Sequence, residues 1–95
     1  MTYKITREAR RDMLRIWSYI ADNNEDAANH LLDLLKEHFH LLGRNPYAGR
    51  RRDEFRPGYR SFSVGQYLIL YRVRENHVEI MHVLHGKRDL DAMFE

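Results

Sequence analysis

A chain of 95 residues makes one domain, and folding buries somewhat more than about 60% of the surface its unfolded chain exposes, so a single modest core is expected. Apolar residues at 43%, aromatics at 12% and a nearly balanced charged fraction of 32% exclude wholesale disorder. No apolar run approaches the roughly 20 residues of a membrane span, no signal-peptide stretch opens the chain and no cysteine occurs, so a cytoplasmic protein held by packing alone is expected, without disulfides or thiolate chemistry.

Residues 3–5 read as a short strand. Thr6 is placed to cap a helix, because Glu8 and an apolar face beginning at Ala9 follow it. Ala9, Met13, Ile16, Trp17 and Ile20 recur at steps of three and four, which predicts a first helix to about Asn23. Asn23-Asn24 ends it, since asparagine tolerates left-handed geometry and competes for backbone hydrogen bonds. A second helix is predicted over 25–42, with Glu25 and Asp26 near its positive end and Gly43 as its C-terminal cap. Its stripe of Ala28, Leu31, Leu32, Leu35, Phe39 and Leu42 is broadened by Leu34 and Leu41 beyond what one neighbouring helix needs.

A loop through Asn45-Pro46 and Pro57-Gly58 leads to three strand-like runs at 59–64, 67–74 and 78–84. Gly65-Gln66 suits a two-residue hairpin connection. The middle run is apolar on both faces, with Leu68 and Leu70 opposite Tyr67, Ile69, Tyr71 and Val73, which places it centrally. His82 is expected to point with Val78, Ile80 and Leu84 as a hydrogen-bonded, half-buried residue. A short helix at 89–94 closes the chain. Strands this short form no stable sheet alone, so the helical hairpin must cover them. The fold class is therefore α+β: an N-terminal strand and helical hairpin packed on an antiparallel meander, with a short C-terminal helix.

The net charge of +2 is unevenly spread. Residues 1–43 and 61–95 each carry −1, whereas 44–60 carry +4, from Arg44, Arg50, Arg51, Arg52, Arg56 and Arg60 against Asp53 and Glu54. Such a segment suits an acidic partner or, alternatively, is a solvated loop. The six histidines lack ligand spacing: His38 and His40 diverge on a helix, and His82 and His85 are three apart at a strand end. No metal or cofactor is expected. Arg60, Arg72, His85, Lys87 and Arg88 lie on or beside adjacent strands, where they form either a cationic surface at one end of the sheet or ion pairs with Glu54, Glu79 and Asp89.

The first-helix face Ala9…Asp12…Ile16…Tyr19, then Asn45-Pro46…Gly49, Arg56-Pro57-Gly58-Tyr59-Arg60, the strand from Tyr67 to Val73, and Val83-Leu84-His85-Gly86-Lys87-Arg88-Asp89 together resemble the ParE/RelE toxin superfamily, and ParE most. The resemblance covers nearly the whole chain. It implies the toxin of a type II toxin–antitoxin system that binds DNA gyrase without breaking bonds, and a ParD-like, ribbon-helix-helix antitoxin that neutralises it. Target contact would then fall to Arg60, His85, Lys87 and Arg88, and antitoxin contact to Trp17, Tyr19, Leu34 and Leu41. RelE-like members cleave messenger RNA on the ribosome, using a cation on the central strand, an arginine after the last strand and a Tyr or His near the end. This chain keeps Arg88 but has Leu68 and Phe94 at the other places, and losing one such group costs about two to four orders of magnitude in rate. The alternatives are a RelE-type ribonuclease using His85, Arg88 and Arg60, and a non-toxic antitoxin-binding relative.

Overall fold

The computed structural model describes residues 1–94, the side chains at positions 87 and 94 excepted. In chain order the elements are β1 (Thr2–Ile5), α1 (Arg7–Ala21), α2 (Glu25–Arg44), β2 (Arg50–Arg51), β3 (Tyr59–Val64), β4 (Tyr67–Val73), β5 (His77–Leu84) and α3 (Gly86–Phe94). The strands form one sheet in the order β1-β5-β4-β3-β2. The α+β class and the central place of β4 agree with the sequence reading. The sheet is mixed, because β1 runs parallel to β5, with Tyr3 opposite Val78 and Ile5 opposite Ile80.

Both helix starts are set by side chains. Thr6 Oγ1 accepts from the Ala9 amide at 3.2 Å and donates to the Ile80 carbonyl at 2.8 Å, so one hydroxyl caps α1 and pins it to β5. Asn24 is extended rather than left-handed, and its side chain accepts from the Ala27 amide at 3.0 Å as the N-cap of α2. The second helix also outlasts its expected cap. Gly43 stays inside it, where a Cβ would lie 2.9 Å from the Met1 carbonyl oxygen, and Asn45 takes the capping place. Glycine is there to let the chain's start pass close.

The main core lies between the hairpin and one sheet face, built on Met13, Leu35, Phe39, Leu42, Ile69, Tyr71, Val78, Ile80 and Val83. Contrary to the expectation of a single core, a second cluster of Tyr59, Leu68, Leu70, Leu84 and Leu90 occupies the other face, with Phe55 and Met81 packed on it. Helix α3 begins at Gly86 rather than at Asp89, and its Leu90 covers that second face. β4 is therefore buried on both sides.

A β-bulge re-aims the end of β5. Leu70 pairs with His82 but Tyr71 with Ile80, which leaves Met81 as an extra residue. Side-chain alternation slips there, so Leu84 joins the second cluster instead of facing the same way as Val78 and Ile80. His82 is half-buried and hydrogen-bonded, as expected, and its partner is Asp12 of α1.

Candidate functional site

Three surfaces carry the residues singled out by the sequence. The first is a groove of about 440 Å³ between α1, α2 and β1, lined by Ile5, Arg10, Met13, Leu14, Trp17, Leu32 and Lys36. Leu14 is 64% exposed here, a large apolar side chain in water. Trp17 forms one wall, and its indole N–H donates to Asn29 Oδ1 at 2.8 Å, tying α1 to α2. An apolar trough rimmed by Arg10 and Lys36 has the anatomy of a protein contact. The other three residues considered with Trp17 do not join it. Leu34 and Leu41 pack partly buried against the main core. Tyr19 is 79% exposed and lies close enough to Tyr67 to help raise the Tyr67 phenol above its ordinary value, after burial, which is the larger cause. Sequence reasoning missed Leu14 and Leu32 as groove residues. Leu14 carried a signal, since it falls outside the core-facing stripe of its helix while sharing the Arg10–Leu14–Trp17 spacing of a second stripe.

The second surface is the end of the sheet where β5 runs into α3. His85 Nε2 lies 3.2 Å from Gln66 Oε1, and its ring stands edge-on to Tyr67 at 5.3 Å between centroids. The His85 backbone amide donates to Asp89 Oδ2 at 2.8 Å, which fixes the start of α3. Arg88 is exposed, 3.9 Å from Asp89. The Lys87 side chain lies outside the described residues.

Arg60 and Arg72 are elsewhere, so the five cations do not form a single surface. Arg60 pairs with Tyr71 across the ladder, whereas His85 follows Leu84, the partner of Leu68. That offset, with two strand spacings across, is on the order of 15 Å. The Arg60 guanidinium donates to the Gly49 carbonyl at 2.9 Å and lies 5.0 Å from the Tyr47 ring centroid, so it holds the loop after α2 instead of forming an ion pair. Arg72 projects from the opposite face and is paired with Glu79, which Arg74 also approaches at 3.3 Å. The Arg72 hydrogen bond is the main reason the Glu79 carboxyl titrates below its ordinary range. Among the described residues, no group of three or more His, Cys, Asp or Glu could hold a metal ion.

Asp12 of α1 is 7% exposed. Its Oδ2 accepts from the Val83 amide at 3.1 Å and lies 3.0 Å from His82 Nδ1. At this place β5 has run past the end of β1, and the carboxylate replaces the missing strand partner. The third surface is the arginine-rich segment that forms β2 at the sheet's other edge.

A family profile describing the ParE toxin of the type II toxin–antitoxin system parDE matches residues 3–90. The chain belongs to the ParE toxin family. It is similar to Toxin ParE3 of Caulobacter vibrioides, with 35% identity over 88 residues, 92% of this chain and 88% of that protein. Toxin ParE1 of Mycobacterium tuberculosis is 34% identical over 91 residues, 94% of this chain and 93% of its own. Among solved structures, the chromosomal ParDE TA system from P. aeruginosa superposes with a TM-score of 0.77 at 23% identity, covering 92% of this chain and 97% of that one. The toxin-antitoxin complex RelBE2 from M. tuberculosis matches with a TM-score of 0.61 at 27% identity, over 88% and 95% of the two chains. The ParE-family hairpin, meander and C-terminal helix are thus the frame on which all three surfaces sit. No helix among the described residues of this ParE-family toxin is long and apolar enough to cross a membrane.

Proposed function

We propose that this ParE-family toxin acts in the cytoplasm by binding DNA gyrase through protein contact, and that a cognate ParD-like antitoxin of ribbon-helix-helix type neutralises it. What supports a binding role over bond cleavage is the separation of Arg60 from His85. Phosphodiester cleavage through the 2′-hydroxyl needs a base, an acid and a charge stabiliser converging on one phosphate. Here Arg60 is held by the loop carbonyls about 15 Å from His85, and the central strand offers buried Leu68 where RelE-like relatives place a cation. Half-buried His85, edge-on to Tyr67, and exposed Arg88 at the sheet's end are left as a contact surface for the target.

The antitoxin reading rests on the groove. Leu14 and Trp17 on α1 and Leu32 on α2 offer helical-spacing pockets to an amphipathic segment, the usual way an apolar trough takes a peptide. A supercoiling assay with purified toxin and gyrase tests the first part. Loss of supercoiling with accumulation of cleaved DNA is expected, and unchanged gyrase activity at high toxin concentration removes the gyrase reading. Codon-linked cuts in translated messages, abolished by His85→Ala, would establish the ribonuclease alternative instead.

A further inference from the structure

The segment of residues 44–60 holds most of the molecule's unbalanced positive charge, and the structure shows which of it stays unneutralised. Asp53 takes up Arg51 at 2.7 Å, and Glu54 lies 3.6 Å from Arg52. Arg44, Arg50 and Arg60 have no carboxylate oxygen within 4.0 Å among the described residues. All three sit on one short stretch: Arg44 at the exposed end of α2, Arg50 on the outer strand β2, and Arg60 on the neighbouring strand, under the ring of Tyr47. Tyr47, Arg51, Asp53 and Arg60 line a shallow depression of about 240 Å³, where the Asp53 carboxylate, already held by Arg51, also feels the charge of Arg60.

We propose that this arginine edge, Arg44, Arg50 and Arg60 with Tyr47 beside them, binds the phosphate backbone of duplex DNA. Cross-strand partners share a face, so Arg50, opposite Ser61, and Arg51, opposite Arg60, project to the two sides of the same bare edge. An edge that carries cations on both sides suits the paired backbones flanking a groove of a duplex. An acidic peptide adding itself as a strand would need a longer edge with apolar pockets for alternate side chains. β2 is two residues long and offers arginine at both places. Single strands are held by a series of aromatic platforms, and Tyr47, 66% exposed, is one ring with a guanidinium already against it. Duplex DNA remains, bound through charge and without sequence reading.

This assignment stands apart from the gyrase reading, because the binding is between toxin and DNA alone. Fluorescence anisotropy of a labelled duplex of about 20 base pairs, titrated with the purified chain at about 50 mM salt, measures it. Three neutralised phosphates predict a log–log salt slope near −3. The doubly reversed variant Arg44→Glu with Arg50→Glu is expected to lose at least tenfold in affinity with a shallower slope, its fold verified by circular dichroism. Arg11→Glu, an exposed reversal on α1, should change affinity less than threefold. Three results overturn the proposal: no anisotropy change at the highest soluble concentration, equal losses for the Arg11→Glu and loop variants, or tighter binding of an acidic peptide or a single-stranded RNA than of the duplex. Gyrase poisoning that persists in the loop variant would leave the gyrase reading intact while limiting this surface to DNA contact.

Discussion

Replacing Tyr71 by phenylalanine tests the anchor that holds the arginine loop on the sheet. The Tyr71 ring is fully buried on β4, and its hydroxyl accepts from the Gly49 amide at 2.7 Å while donating to the Pro46 carbonyl at 2.8 Å. Burial raises the phenol above its ordinary value, against the opposite pull of the Gly49 N–H and Arg60, so it stays protonated and able to donate. Tyr71→Phe keeps the ring and removes one atom, leaving a buried amide without a partner and a partly accessible carbonyl that water can reach. Orphaning a buried group costs about 1–3 kcal/mol, and with the second group partly rehydrated the sum is about 2–3 kcal/mol. For a domain of this size that is a fall in melting temperature of about 8–20 °C. Gly49→Ala should be at least as damaging, because its Cβ would lie 2.4 Å from that hydroxyl, 2.6 Å from the ring and 2.8 Å from the Ser61 carbonyl oxygen. Thermal and urea unfolding of both variants give the stability, and hydrogen exchange of the Gly49 amide shows whether the loop has been released. A loss under about 0.5 kcal/mol in Tyr71→Phe, with the Gly49 amide still protected, would refute the claim that this hydroxyl holds the loop.

Other expectations follow from the same geometry. Glu79 titrates below its ordinary range because of Arg72 first and Arg74 after it, so its contribution is present above the unfolded-state value of about 4.3 and is lost as pH falls through the lower folded value; in urea unfolding across that range, Glu79→Gln should lose stability at neutral pH, show a flatter stability-against-pH curve in acid, and converge with the parent chain at the acid end. Leu90→Ala empties the point where α3 meets the second core and is expected to cost about 2–4 kcal/mol in chemical denaturation. Leu14→Glu puts a charge into the α1–α2 groove at a solvent-exposed place, so it should leave thermal stability within about 0.5 kcal/mol yet weaken antitoxin binding at least a hundredfold by calorimetry. A tight complex with this variant would show that the groove is not the antitoxin seat.

The helices and the meander were legible because their signals are local. Steps of three and four at Ala9, Met13, Ile16 and Ile20, the run through Tyr67–Val73 that is apolar on both faces, and Gly65, with φ of +58° in the hairpin turn, each act within a few residues. What escaped was set by contacts distant in sequence. β1 pairs with β5 across 75 residues in parallel, and nothing local distinguishes that edge from any other. β2 is too short to leave a pattern, and it forms because Arg60 and Ser61 present a ladder to it. The bulge at Met81 reverses the facing of Leu84, a change that alternation cannot foresee. Asp12 gives no local sign of its burial, because its partner amide at Val83 is in place only when the sheet has formed. The grouping of Arg60 with His85 failed for the same reason: adjacency of strands says which chains are neighbours, but the register decides which end each residue occupies.

The strand order also bears on how the three surfaces relate. The apolar groove includes Ile5 of β1, at one edge of the sheet, and Arg50 sits on β2 at the other. Four strand spacings separate those edges, about 19 Å. A helical segment seated between α1 and α2 is about 10 Å across and does not itself reach β2. Neutralisation through the groove therefore leaves the arginine edge uncovered unless a further part of the antitoxin crosses the molecule. On the proposed assignments the toxin would remain able to touch DNA through β2 inside the complex. That makes the salt slope of DNA binding by the toxin–antitoxin complex informative, because it should exceed the antitoxin's own slope by about three and revert when Arg44 and Arg50 are reversed to glutamate. An unchanged slope would mean that the antitoxin covers the β2 edge after all.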